Sequence, residues 1–300
     1  MDRYERDRTD GFPEVPGVEH RFLDAAGLRM HVAEAGDGEP IVMLHGWPQH
    51  WYLWRGVIPL LAPHARVICP DLRGFGWTDV PTAGYSPKTM ARDVLALLDE
   101  LGLGRVRIVG HDWGGWIGFL LCLDEPDRIG SFVALGVVPP WPSRDPRAML
   151  HVWRVAYQIP LSLPYIGRLA VERGLARLVL QRGGPFQDED LEAFTRRLTG
   201  DRAGATESLY RNFLLRDGPA VAAGRYARRP LEVPTLLVVG ERDPVIPARL
   251  VRDQAARVEA LDVEIVPRAG HFIVDERPEL VSDRVLRFFA LGPTSEAAAR

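Results

Sequence analysis

One short run constrains this chain more than any other. Val106-Arg107-Ile108-Val109, apolar and β-branched, leads without a break into Gly110-His111-Asp112-Trp113-Gly114-Gly115. An apolar stretch follows to Leu123 and stops before Pro126. A buried strand must therefore turn into a helix within a few residues, and the small residues around position 112 let the two approach each other. Asp112, squeezed between small neighbours on such a turn, is expected in a strained backbone conformation, with its side chain above the strand ends. Positions 110, 112 and 114 carry the spacing of the nucleophile elbow, G-x-S-x-G, with Asp where Ser is commoner. The following helix points its N-terminus at the site, which favours negative charge there. The plain alternative is a tight turn in which Asp112 merely caps the helix.

The rest of the chain repeats the strand-then-helix theme. Ile41-Val42-Met43-Leu44, Arg66-Val67-Ile68-Cys69-Pro70, residues 131–135, 235–239 and 263–266 read as buried strands. Ser86-Pro87 opens a helix through Met90, Val94, Leu97, Leu98 and Leu101, at spacings of three and four. Another helix runs from Pro278 to about Phe289. Such alternation predicts a mainly parallel, doubly wound sheet. Residues 18–24 and 28–34 alternate in polarity around Ala26-Gly27 and predict an antiparallel hairpin at its edge. The alternation stops at Val138-Pro139-Pro140-Trp141-Pro142 and resumes at Pro234. The stretch between is helical, rich in Arg, Leu and aromatics, and interrupted by Pro160, Pro164 and Pro185. The expected organisation is a core built from residues 1–138 and 229–300, with a helical lid over 139–228.

Composition narrows the function. With 46% hydrophobic and 26% charged residues over 300 positions, the chain can bury a large core. A net charge of -3 suggests neither nucleic acid nor an anionic membrane as partner. The two cysteines, Cys69 and Cys122, lie in apolar runs and read as buried free thiols. The charged start shows no secretory pattern and no apolar run spans a bilayer, so a cytoplasmic protein without a membrane anchor is expected.

A nucleophile on an elbow needs a base, and the base needs an orienting acid. In this arrangement they follow in the chain order nucleophile, acid, base. Gly240-Glu241-Arg242-Asp243 leaves one strand end with an acid, and Ala269-Gly270-His271-Phe272 leaves the next with a histidine. The order Asp112, Asp243, His271 fits, each at the carboxyl end of a strand, where such sheets place their sites. Taken singly, His271 could be a core histidine and Asp243 a turn acid before Pro244. His45-Gly46-Trp47-Pro48 follows the first parallel strand. Its Trp47 N–H, with the Trp113 N–H, would form an oxyanion hole. A cis bond before Pro48 is an expectation of the same loop. Asp71 and Arg73, in a glycine-rich turn, read as loop braces.

These residues together resemble the epoxide hydrolases, on the Asp-nucleophile branch of the α/β-hydrolase superfamily, over nearly the whole chain. His45-Gly46-Trp47-Pro48 is similar to that family's H-G-x-P motif, and Gly110 to Gly115 to its nucleophile motif. The resemblance implies the α/β-hydrolase fold, an eight-stranded, mostly parallel sheet with an inserted helical lid. It also implies two lid tyrosines that hold and protonate the epoxide oxygen. Tyr157-Gln158 and Tyr210-Arg211-Asn212 are similar to their settings, with Tyr165 and Tyr226 as substitutes. His45, Gly46, Pro48, Gln158, Trp153 and Phe272 are the remaining expected substrate contacts.

The chemistry accounts for the aspartate. A carboxylate, with a reference pKa of about 3.9, is ionised at neutral pH and can attack a saturated carbon to form an alkyl ester. His271, held by Asp243, would activate the water that hydrolyses that ester. The implied reaction turns an apolar epoxide into a vicinal diol with no metal or organic cofactor, in a monomer or homodimer. The alternative enzyme is a haloalkane dehalogenase, which would need a second side-chain N–H beside Trp113, such as Trp141 or Trp153. A non-catalytic ligand-binding protein is the alternative from another class, and the complete set of motifs argues against it.

Overall fold

Side chains of a β-strand alternate between the two faces of a sheet, and in the central strands of this protein both sets are apolar. The computed structural model describes residues 11–141, 154, 156–252, 254–256 and 258–291. Its strands are β1 (Glu19–Ala25), β2 (Leu28–Ala35), β3 (Pro40–Leu44), β4 (Arg66–Pro70), β5 (Val106–His111), β6 (Ile129–Leu135), β7 (Thr235–Gly240) and β8 (Leu261–Val266). They form one sheet in the order β1-β2-β4-β3-β5-β6-β7-β8. β1 and β2 pair antiparallel, as does β2 with β4; every later pairing is parallel. The edge hairpin and the doubly wound sheet expected from the sequence are both present.

The alternation builds two core layers. Val42, Leu44 and Ile108 face one layer, whereas Ile41, Met43 and Val109 face the other, and all are fully buried. Each such side chain contributes roughly 1.5–3 kcal/mol of hydrophobic stabilisation. Two short helical pieces, Trp51–Gly56 and α1 (Ile58–Leu61), contribute Trp51, Trp54 and Ile58 to the second layer. The first layer is closed by α2 (Pro87–Glu100) and α3 (Trp113–Asp124). Ser86 Oγ caps α2 by accepting the Thr89 N–H at 3.1 Å, with Pro87 in the first turn. α3 is buried from Trp113 to Leu123, so it has no polar face to spare.

Between β6 and β7 lie α4 (Gln158–Ser162), α5 (Ile166–Glu172), α6 (Leu175–Gly183), α7 (Asp188–Thr195), α8 (Asp201–Asn212) and α9 (Gly218–Ala222). Pro160, expected to interrupt a helix, instead sits in the first turn of α4, where its missing N–H would have no partner within the helix. Trp47 Nε1 donates to Thr206 Oγ1 of α8 at 3.1 Å and ties this helical layer to the loop after β3. After β8 come α10 (Ile273–Glu276) and α11 (Pro278–Phe288). Among the described residues no helix is long and apolar enough to cross a membrane. Cys69 and Cys122 are free and buried.

Candidate active site

The parallel register brings the ends of β3 and β5 side by side, with Leu44 opposite Gly110. Asp112, one step beyond β5, has φ +51° and ψ −115°. A left-handed φ on a side chain of this size costs of order 1–3 kcal/mol and persists only where the surroundings enforce it. Here the enforcement is steric. A Cβ on Gly110 would lie 2.5 Å from the Gly114 carbonyl oxygen, and one on Gly114 would lie 2.1 Å from that of Leu44. The strand, turn and helix are pressed together, so the turn cannot relax. The Asp112 side chain makes no capping bond to α3, against the plain N-cap alternative.

Its carboxylate turns toward the loop after β3. The Trp47 N–H donates to Asp112 Oδ1 at 2.9 Å, and the neighbouring Trp113 N–H also favours the charged carboxylate. Of the two N–H groups expected to form an oxyanion hole, that of Trp47 bonds the carboxylate, and Trp113 follows Asp112 directly in the chain. The Trp47–Pro48 peptide is cis. Gly46 is packed so closely that a Cβ there would lie 2.4 Å from Asp112 Cβ. Burial pushes the Asp112 pKa above its ordinary value, opposed by His271 and the two N–H groups.

His271 stands at the end of the loop after β8. Its Nδ1 lies 2.9 Å from Asp243 Oδ2, and its Nε2 lies 3.8 Å from Asp112 Oδ2. Asp243 Oδ1 accepts the N–H groups of Val245 and Ile246 at 2.7 and 2.8 Å, which fixes the carboxylate. Nδ1 facing a buried carboxylate carries a proton, so in neutral His271 Nε2 is the free base. Burial pulls the His271 pKa down, but Asp243 and then Asp112 outweigh it and raise it to about 9. His111, the middle residue of the elbow run, was given no role by the sequence. Its Nε2–H donates to the His271 carbonyl oxygen at 2.9 Å, and burial lowers its pKa to about 3, leaving it neutral. It ties the elbow to the histidine loop.

A cavity of about 310 Å³ opens on these groups. Trp47, Asp112, His271 and Phe272 line its floor, and Tyr157 and Tyr210 belong to the helical layer above. The two tyrosine rings stand 6.2 Å apart at 71°, and Tyr210 packs edge-on against Trp47 and Trp113. Burial, with the nearby Asp112 charge, raises both phenol pKa values, so both remain O–H donors across the neutral range. The substitutes lie elsewhere: Tyr165 is 85% exposed, and Tyr226 does not line the cavity.

Several expected substrate contacts are corrected. His45 does not line the cavity; its Nε2 accepts the Leu72 N–H at 2.9 Å and its Nδ1 meets the Gly46 carbonyl at 3.1 Å, so the ring braces its own loop. Gly46 backs Asp112, and neither Pro48 nor the buried Gln158 reaches the lining. Trp153 lies outside the described residues. Trp141 Nε1 donates to the Arg229 carbonyl at 3.2 Å, away from this cavity. Conversely, Val179, Arg182 and Gly183 of α6, with Pro244 and Val245, line the cavity, although the sequence did not single them out. Asp71 accepts the Trp51 and Trp77 N–H groups and Arg73 pairs with Asp93 at 2.6 Å, as loop braces do.

The family of the α/β hydrolase fold matches residues 39–278. A soluble epoxide hydrolase of Corynebacterium sp. (strain C12) is 34% identical, covering 91% of this chain and 98% of the relative. A haloalkane dehalogenase of Mycobacterium marinum is 36% identical over 90% of this chain and 91% of its own. Among solved structures, an epoxide hydrolase from Vigna radiata superposes with a TM-score of 0.79 at 26% identity, covering 93% of this chain and 99% of the other.

Proposed function

The chain belongs to the α/β-hydrolase family, and we propose that it hydrolyses an apolar epoxide to a vicinal diol with Asp112 as covalent nucleophile. The observation that carries this reading is the Trp47 N–H bond to the Asp112 carboxylate, with the Trp113 N–H beside it favouring the same charge. An oxyanion hole that already grips the enzyme's own side chain suits an ester formed on that side chain. Oδ1 is held by Trp47, which leaves Oδ2 to attack a ring carbon of the epoxide. The carbon–oxygen bond of the ring breaks, and the Tyr157 and Tyr210 hydroxyls hold and protonate the departing oxygen.

Ester formation removes the Asp112 charge, which helps to keep His271 protonated in the resting site. The His271 pKa therefore falls in the intermediate, and the imidazole becomes available as a base when a water must be activated. Water adds to the ester carbonyl carbon, the oxyanion develops against the Trp47 and Trp113 N–H groups, and Oδ2 leaves with the diol. Residues 139–228 act in this reading as a lid over the core, supplying the tyrosines and excluding bulk water.

Dehalogenation through the same aspartate is the second reading, carried by the Mycobacterium marinum relative. It needs a second side-chain N–H beside Trp113, and Trp141 is engaged elsewhere. A trapping experiment tests the proposal. With a styrene-oxide-like epoxide, His271→Gln is expected to gain the mass of the substrate on the peptide that contains Asp112, and Asp112→Asn to gain none. Adduct formation by Asp112→Asn, or rapid diol release by His271→Gln, contradicts it.

A further inference from the structure

The cavity that holds Asp112 is apolar except for its catalytic groups and one cation. Val179, Arg182 and Gly183 lie three and one residues apart along α6, so a single face of its C-terminal turns lines the cavity. Gly183 is pressed onto the Phe272 ring, where a Cβ would lie 2.4 Å from Cε2, and this contact sets how close that face approaches. Of the two arginines on α6, Arg177 is paired with Asp188 at 2.6 Å. Arg182 has no carboxylate partner among the described residues, and it is solvent-exposed while lining the cavity.

We propose that Arg182 is a specificity-determining residue that receives a carboxylate at the far end of the epoxide substrate. Among the described lining residues the charged groups are Asp112, His271 and Arg182. His271 lies between Asp112 and the Asp243 behind it, so among the described lining residues Arg182 is the one cation that stands outside the reacting groups. A single guanidinium matches a carboxylate with two parallel N–H···O bonds. A substrate anion cannot sit beside Asp112 without like-charge repulsion, so it belongs at the opposite end of the molecule from the epoxide. The apolar surfaces of Val179, Val245 and Phe272 suit the body between. The substrate class is then an amphiphilic epoxy acid, and the proposal rests on the epoxide-opening reading above. A positive side chain in the last turn of a helix also favours the helix itself, and that purely structural role is what the test must exclude.

The test compares two aryl epoxides of similar size, one with a remote para-carboxylate and one with a para-methyl group, on the wild type, Arg182→Gln and Arg182→Lys. The wild type is expected to prefer the carboxylate, and Arg182→Gln to lower that preference about tenfold, mainly through KM. Arg182→Lys is expected to retain part of it, and the preference to shrink as ionic strength rises. An equal loss on both epoxides, or an unchanged ratio, overturns the proposal and leaves Arg182 as a helix-end residue. No turnover of either epoxide by the wild type overturns the epoxide reading itself, a result distinguishable from an unchanged ratio.

Discussion

Gly46 offers a perturbation whose magnitude can be worked from distances. It has an ordinary backbone conformation, so alanine there introduces a methyl group without backbone strain. That methyl would lie 2.4 Å from Asp112 Cβ and 2.5 Å from Oδ1, where ordinary contact begins at 3.4 Å. Asp112 or the loop after β3 must move by about 1 Å. The turn that carries Asp112 resists displacement, because its flanking Gly110 and Gly114 are pressed against the Gly114 and Leu44 backbone. The movement therefore falls on the contact between Trp47 N–H and Oδ1, now 2.9 Å. A displacement of this size costs on the order of a hundredfold in the rate of a positioned reaction. Overpacking costs roughly 1–3 kcal/mol of stability besides. Gly46→Ala should still fold by circular dichroism and melt lower. In rapid-quench experiments with a saturating epoxide, its alkylation rate should fall about a hundredfold. An alkylation rate within a few-fold of the wild type, in a variant that is otherwise native, would refute the claim that this contact aims the nucleophile.

Other outcomes follow from the same geometry. Tyr157→Phe and Tyr210→Phe should each slow alkylation, and the double variant should lose roughly a hundredfold or more, read as the burst rate; a double variant with an unimpaired burst assigns proton donation elsewhere. The two chemical steps should separate on the pH axis. Alkylation needs ionised Asp112, whose pKa is raised by burial, so it should rise with pH from the acid side and stay level while the tyrosines remain protonated. Ester hydrolysis needs neutral His271. In the free enzyme its pKa is raised to about 9, and losing the Asp112 charge lowers it in the ester, so hydrolysis should increase with pH and level off below about 9. Stopped-flow fluorescence of the tryptophans around the site follows both steps; hydrolysis that slows as pH rises contradicts the base role.

What the sequence made legible was whatever is decided locally. The elbow could be read because a strand, a strained residue and a helix lie within a few consecutive positions, and small residues there have one steric purpose. Asp243 and His271 could be placed because strand ends in a parallel sheet converge on one edge. The lid lining was hidden. Val179 and Arg182 sit on a helix whose facing is set by Gly183 against Phe272, residues almost ninety positions apart. His45 was misassigned for the converse reason: adjacency to Trp47 in sequence does not say which way a ring turns, and it turned toward the Leu72 N–H. The role of His111 needed the backbone of a loop 160 residues away.

The most direct measurement is a single turnover in oxygen-18 water with enzyme in excess over epoxide. If Asp112 Oδ2 forms the bond to carbon and leaves with the product, the first diol carries no label and the new oxygen resides on the Asp112 peptide. Full label in that first diol would mean that water attacked the epoxide directly, and the covalent account would be wrong.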